Sequence, residues 1–116
     1  MKLRSLLSAP GVRAAALVGR DGLALEAYGE EGEHLAAELA GLRGALERLS
    51  RRMSGGTLSR LAFTADRFEV VAVAVGEFTA AVAVTRGQDT RPAQMELARV
   101  AVELQGQLPG APGKKE

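Results

Sequence analysis

The sequence predicts an α+β domain in the order α-β-β-α-β-β-β-α. Its sheet is five-stranded and antiparallel, with the long helix on one face and the terminal helices on the other. Three observations carry this. Leu35, Leu39, Leu42, Leu46, Leu49 and Met53 recur at alternating steps of four and three, the period of an α-helix over residues 33–54. Residues 68–75 (FEVVAVAV, beyond Glu69) and 78–85 (FTAAVAVT) are apolar on both sides of a strand, so the sheet needs cover above and below. Consecutive strands are joined by Arg20-Asp21-Gly22, Asp66-Arg67 and Gly76-Glu77, tight links that leave only antiparallel pairing.

Taken in order, residues 1–7 place Leu3, Leu6 and Leu7 on one side of a short helix that Pro10-Gly11 ends. Residues 12–18 (VRAAALV) and 23–28 (LALEAY) are short apolar runs around the Asp-Gly hairpin signal. Gly29-Glu30-Glu31-Gly32 is a loop whose acids suit the N-terminus of the long helix. That helix is expected to end at Ser54-Gly55-Gly56, with Gly55 in the left-handed cap position. Residues 57–65 alternate, with Ser59, Leu61, Phe63 and Ala65 opposite Leu58, Arg60, Ala62 and Thr64. A last helix starts at Asp89 or Thr90 with Pro92 in its first turn, and Leu97, Val100, Ala101, Leu104 and Leu108 form its stripe. The domain spans residues 1–108, and residues 109–116 (PGAPGKKE) read as a disordered tail.

The long helix sets the functional question. Its leucine stripe is expected to face a core, and at ~1.5 Å per residue it is long enough to cross the sheet from edge to edge. Ala36, Ala37, Ala40, Gly41 and Gly44 fall on the side away from the leucines, with Glu47 and Arg48 the first large residues there. Each mid-helix glycine costs about 0.5–1 kcal/mol relative to alanine. Two within four residues point to another backbone close by, that of a second copy. Drift toward small residues, in a chain without Ile or Asn, is the other explanation.

Composition excludes several classes. The 116 residues make one domain, and the formal charge of +1 gives no global field toward nucleic acid or anionic lipid. Three Phe, one Tyr and no Trp offer little base stacking. The N-terminal apolar cluster is too short for a secretory signal and the run 70–75 too short to span a membrane, so a cytoplasmic protein is expected, without membrane insertion. With no Cys and His34 as the sole histidine, a zinc site lacks ligands, and no cofactor is expected. Glu30, Glu31 and Glu33 are accounted for by the helix dipole, and no Ser or Thr has a base in view, so no catalytic residue is assigned. Gly29–Gly32 is acidic and Ser54–Thr57 follows a helix C-terminus, so neither suits phosphate. Arg43, Arg48, Arg51 and Arg52, with Arg60 and Arg67 beyond, are the strongest charge concentration. They read either as cations favoured at a helix C-terminus, partly paired with Glu47, or as a rim for an acidic protein partner.

The PGV before the first strand, the LVGRDGL around the first turn and the long Leu/Ala helix after it resemble the Roadblock / dynein light chain family, over nearly everything but the tail. The resemblance implies no catalytic motif. It implies a dimer in which the long helices pack antiparallel and the following strand pairs with its twin. The helix contact then falls on Ala37, Ala40, Gly41 and Gly44, and the strand contact on Leu58, Ser59, Arg60, Leu61 and Ala62. It further implies a Ras-like small GTPase as partner, bound and regulated through Arg48, Arg51 and Arg52. The alternative is a structural adaptor that joins chains of a larger assembly. Twelve Arg against three Lys suggest a GC-rich bacterial source.

Overall fold

The computed structural model describes residues 3–108. A short 3-10 helix at Leu3–Ser8 is followed by strands β1 (Val12–Gly19) and β2 (Ala24–Gly29), helix α1 (Gly32–Arg52), strands β3 (Arg60–Thr64), β4 (Phe68–Val75) and β5 (Phe78–Thr85), and helix α2 (Arg91–Gln105). The expected tail at 109–116 lies outside the described residues. The strands form one antiparallel sheet in the order β2-β1-β5-β4-β3. The predicted element order and layering hold, with α1 on one face and the 3-10 helix and α2 on the other. β3 is shorter than the alternation over 57–65 suggested: its ladder with β4 covers Arg60–Thr64, with one further backbone bond at each end from Ser59 and Ala65.

The two faces are built from different residue sizes. Leu17 of β1, Val71 and Val75 of β4, and Val82 and Val84 of β5 join Leu3, Leu6, Leu97, Val100 and Leu104 in the larger core, under α2. The face toward α1 carries Ala14, Ala72, Ala81 and Ala83 with Val18 and Val70. Alanine keeps this side low, so the helix backbone rides close to the sheet and its own short residues suffice to fill the gap.

Three expectations about α1 are corrected. It does not cross the sheet: it lies on β1 and β2 and only grazes β5. Only Glu30 and Glu31 separate it from β2, and positive φ at Gly29 (84°) and Glu31 (69°) turns the chain straight back over the hairpin. A Cβ at Gly29 would stand 2.4 Å from the Arg13 carbonyl oxygen, so this position needs glycine for space as well as for φ. Second, the leucine stripe faces the core only in part. The residues pressed on the sheet are Gly32, Ala36, Leu39, Arg43 and Glu47. Leu35, Leu42 and Leu46 are half-buried, and Leu49 and Met53 are 53% and 71% exposed. Third, the left-handed residue ending α1 is Ser54 (φ 58°), not Gly55. The Gly55 and Ser54 amides donate to the Ser50 and Arg51 carbonyls, a Schellman arrangement in which the glycine occupies the position after the left-handed one.

Arg43 and Glu47 were expected at the charged end and outer side of the helix, yet they are 3% and 7% exposed. Arg43 Nη2 donates to the Gly76 carbonyl at 2.8 Å, and Nη1 to the Phe78 carbonyl at 2.8 Å and Thr79 Oγ1 at 3.1 Å. Its Nε donates to Glu47 Oε2 at 3.1 Å. Arg20, in the β1–β2 turn, forks onto both Glu47 oxygens at 2.6 and 2.9 Å and reaches Glu77 at 2.6 Å. One buried guanidinium thus fastens the middle of α1 to the β4–β5 turn, and one carboxylate fastens it to the β1–β2 turn. The Arg20 fork, followed by Arg43, holds the Glu47 carboxyl below the usual carboxylate range despite its burial.

Removing Arg43 leaves Glu47 its Arg20 fork but takes the donors from the Gly76 and Phe78 carbonyls and Thr79 Oγ1. Arg43→Ala is expected to cost about 1–3 kcal/mol, read from urea unfolding. Glu96 is also held down, to about 2, chiefly by Arg99 and then by the Ser5 hydroxyl. Both carboxylates bind protons more tightly when unfolded, near 4.5, so their stabilisation is present above that pH and is lost as pH falls toward their native values. The melting temperature is expected to drop between about pH 4.5 and pH 2, and less steeply in Glu96→Gln.

A candidate protein-interaction surface

Because α1 lies over β1 and β2, it covers the same face of β4 and β3 only with its leucine side chains, which reach Ala72 and Leu61. An open groove of about 240 Å³ runs there. Ala14, Val70 and Ala83 floor it, Leu35, Leu39 and Leu42 of α1 form one wall, and Phe63 and Phe68 form the other. The two phenyl rings meet edge to face, 6.4 Å between centroids. The rim is polar: Arg13, Glu30, Glu31, His34 and Glu38. The Arg13 guanidinium lies 5.9 Å over the Phe68 ring and within 3.7 Å of Glu30 and 4.0 Å of Glu31. The exposed Leu49 and Met53 continue the apolar flank along α1, and Phe63 of β3 is 43% exposed. β3 is an outer strand of the sheet, with backbone groups open to one side.

The residues predicted from sequence separate into three groups. Ala37 and Gly41 are exposed and Ala40 and Gly44 half-buried. At 100° per residue this small flank points away from the groove, toward the β2 side. A Cβ at Gly41 would meet nothing within 4 Å, and one at Gly44 only Arg48 Nη1 at 3.8 Å. Ala40 leans on the core beneath the helix, and among the described residues nothing presses on Gly41. Leu58 and Leu61 pack toward α1, while Ser59, Arg60 and Ala62 are exposed. Arg60 reaches the opposite face of the sheet, where it donates to Gln94 of α2. Arg48, Arg51 and Arg52 are exposed at the end of α1 and form no ion pair among the described residues.

The groove's aromatic wall and charged rim escaped the sequence reading. The alternation of Leu61 and Phe63 put both on one face, but whether a helix covered that face was not legible. His34 is solvent-facing, with Nδ1 3.4 Å from Glu31 Oε1. Among the described residues no group of three or more His, Asp or Glu is placed to hold a metal ion, and no helix is long and apolar enough to cross a membrane. The groove offers an apolar surface with a polar rim.

Residues 1–85 match the family model described as the Roadblock/LC7 domain. Among solved structures the chain is similar to a Roadblock/LC7 domain from Streptomyces avermitilis, with 22% identity over 88% of this chain and 90% of that one and a TM-score of 0.79. It is also similar to MglB of Myxococcus xanthus (15% identity, 86% and 85% covered, TM-score 0.78) and to the gliding protein MglB of Thermus thermophilus (20%, 87% and 86%, 0.71). At these identities the likeness shows the fold. No curated protein matches the sequence significantly.

The open space at Gly41 makes a direct prediction. Gly41→Ala is expected to stabilise the chain by about 0.5–1 kcal/mol, measured as a higher urea midpoint, because helix propensity rises and nothing is displaced.

Proposed function

The chain belongs to the Roadblock/LC7 domain family, and on that footing we propose that it is a noncatalytic module that pairs with a second copy of itself and binds a Ras-like small GTPase, regulating its GTP turnover. The observation that carries the self-pairing is the half of the sheet that α1 covers only in part: an apolar groove, an exposed leucine flank and an unpaired β3 edge lie side by side. Solvating all three in a lone chain is costly, and a twin joined along β3 covers them together. In this reading Leu58, Ser59, Arg60, Leu61 and Ala62 keep the strand contact. The helix contact passes from Ala37, Ala40, Gly41 and Gly44 to the leucine flank, which borders the groove as the small flank does not. One similar structure is an MglB with a tetrameric arrangement, which supports assembly through this fold. The GTPase rests on the family resemblance, with Arg48 and Arg51 as its docking cations on the outer side of α1.

Two measurements test the reading. Leu46→Arg and Phe63→Asp are expected to halve the mass in solution, and Gly41→Arg to leave it unchanged; the reverse pattern returns the contact to the small flank. GTP hydrolysis by the Ras-like GTPases of the same organism is expected to change on adding the protein, and less so with Arg48→Ala/Arg51→Ala. A stable dimer that binds none of them and alters no rate makes the chain a structural adaptor instead.

A further inference from the structure

We infer that the outer edge of β2 accepts an extended, basic segment of a partner protein as a sixth strand. β2 lies at the opposite side of the sheet from β3, so this site is independent of the self-pairing and of the arginines proposed for the GTPase.

Among the described residues nothing pairs with the free side of β2, where alternate backbone N–H and C=O groups point outward. Edge strands are commonly guarded against a further strand by lysine, proline or a charge. β2 (ALEAYG) has neither lysine nor proline, and its one charge, Glu26, stands with Leu17 on the face toward the larger core. A bulge leaves Leu25 without a partner in β1 and re-aims its side chain; Leu23 and Leu25 are both exposed beside the edge. Beyond the bulge, Glu26, Ala27, Tyr28 and Gly29 keep regular pairing, so their outer side is a straight template.

The space next to that template fits a guest strand. Between β2 and α1 lies an open concavity lined by Leu25, Ala27, Ala36, Ala37 and Glu33. The alanines leave room for an aliphatic side chain beside Leu25. Glu33 stands in the first turn of α1, at the Gly29 end of the strand, and forms no ion pair among the described residues.

Charge selects the guest. From Asp21 to Leu42 the chain holds six acids and no Lys or Arg, whereas the rest holds fifteen cations against eight acids. This acidic stretch contains β2 and the first half of α1. Arg13 reaches Glu30 and Glu31, which leaves Glu33 as the carboxylate facing the concavity. An antiparallel guest with a lysine or arginine near its start and an aliphatic residue two positions later, on the same face, meets Glu33 and then Leu25. Main-chain bonds supply the attachment and these two positions supply the selectivity.

The probe is the acetylated and amidated hexapeptide Lys-Thr-Lys-Thr-Val-Thr, with hydrogen exchange read along the whole chain. At millimolar peptide and low salt it is expected to slow exchange by about threefold or more at the amides of residues 24–29 that β1 leaves unbonded. The same peptide N-methylated along its backbone keeps its charge without the donors and is expected to protect nothing. Glu33→Lys is expected to abolish protection by the lysine peptide and to confer it on the counterpart with glutamate in place of lysine. Equal protection by the methylated peptide, protection at residues 60–64 instead, or none at all overturns the inference. So does a Glu33→Lys variant that still favours the lysine peptide. Protection of 24–29 that needs only a higher protein concentration assigns the edge to a second copy and overturns the basic partner.

Discussion

The two-residue link between β2 and α1 constrains everything around the surface. With only Glu30 and Glu31 available, and left-handed backbone at Gly29 and Glu31, the chain has no room to carry the helix toward the middle of the sheet. The helix is returned over the hairpin it has just left. A longer loop would have let α1 centre itself, cover β5 and β4, and close the groove. The short loop keeps one half of the face covered and the other half open, beside an outer strand.

What holds α1 in that off-centre position is polar as well as apolar. The alanines beneath it give close approach but little lateral grip, since small side chains interdigitate shallowly. Arg43 supplies the missing direction: its hydrogen bonds reach two carbonyls and a hydroxyl of the β4–β5 turn, and Glu47 ties the same turn of helix to Arg20. A buried ion pair adds little net stability over a hydrophobic replacement, but its geometric demands are strict. Here those demands fix the helix rotation that leaves the leucines half out of the monomer core. The leucine flank is thus partly available to a neighbour because the line through Ala36, Leu39, Arg43 and Glu47, rather than the whole leucine stripe, faces the sheet.

The sequence by itself determined the element order, the antiparallel pairing, the double-sided cover of β4 and β5 and the family, because strand alternation, hairpin links and helical periodicity are local properties. It also placed Leu61 and Phe63 on one face of β3. It misled on α1, where the strongest periodic signal, the leucine stripe, was taken for the buried side, and Arg43 and Glu47 were read as surface charges four residues apart. Period alone states that residues share a flank; it does not state what that flank touches. Only the tertiary structure decided that, because the orientation of α1 depends on a link two residues long and on carbonyls of the β4–β5 turn more than thirty residues away in the chain.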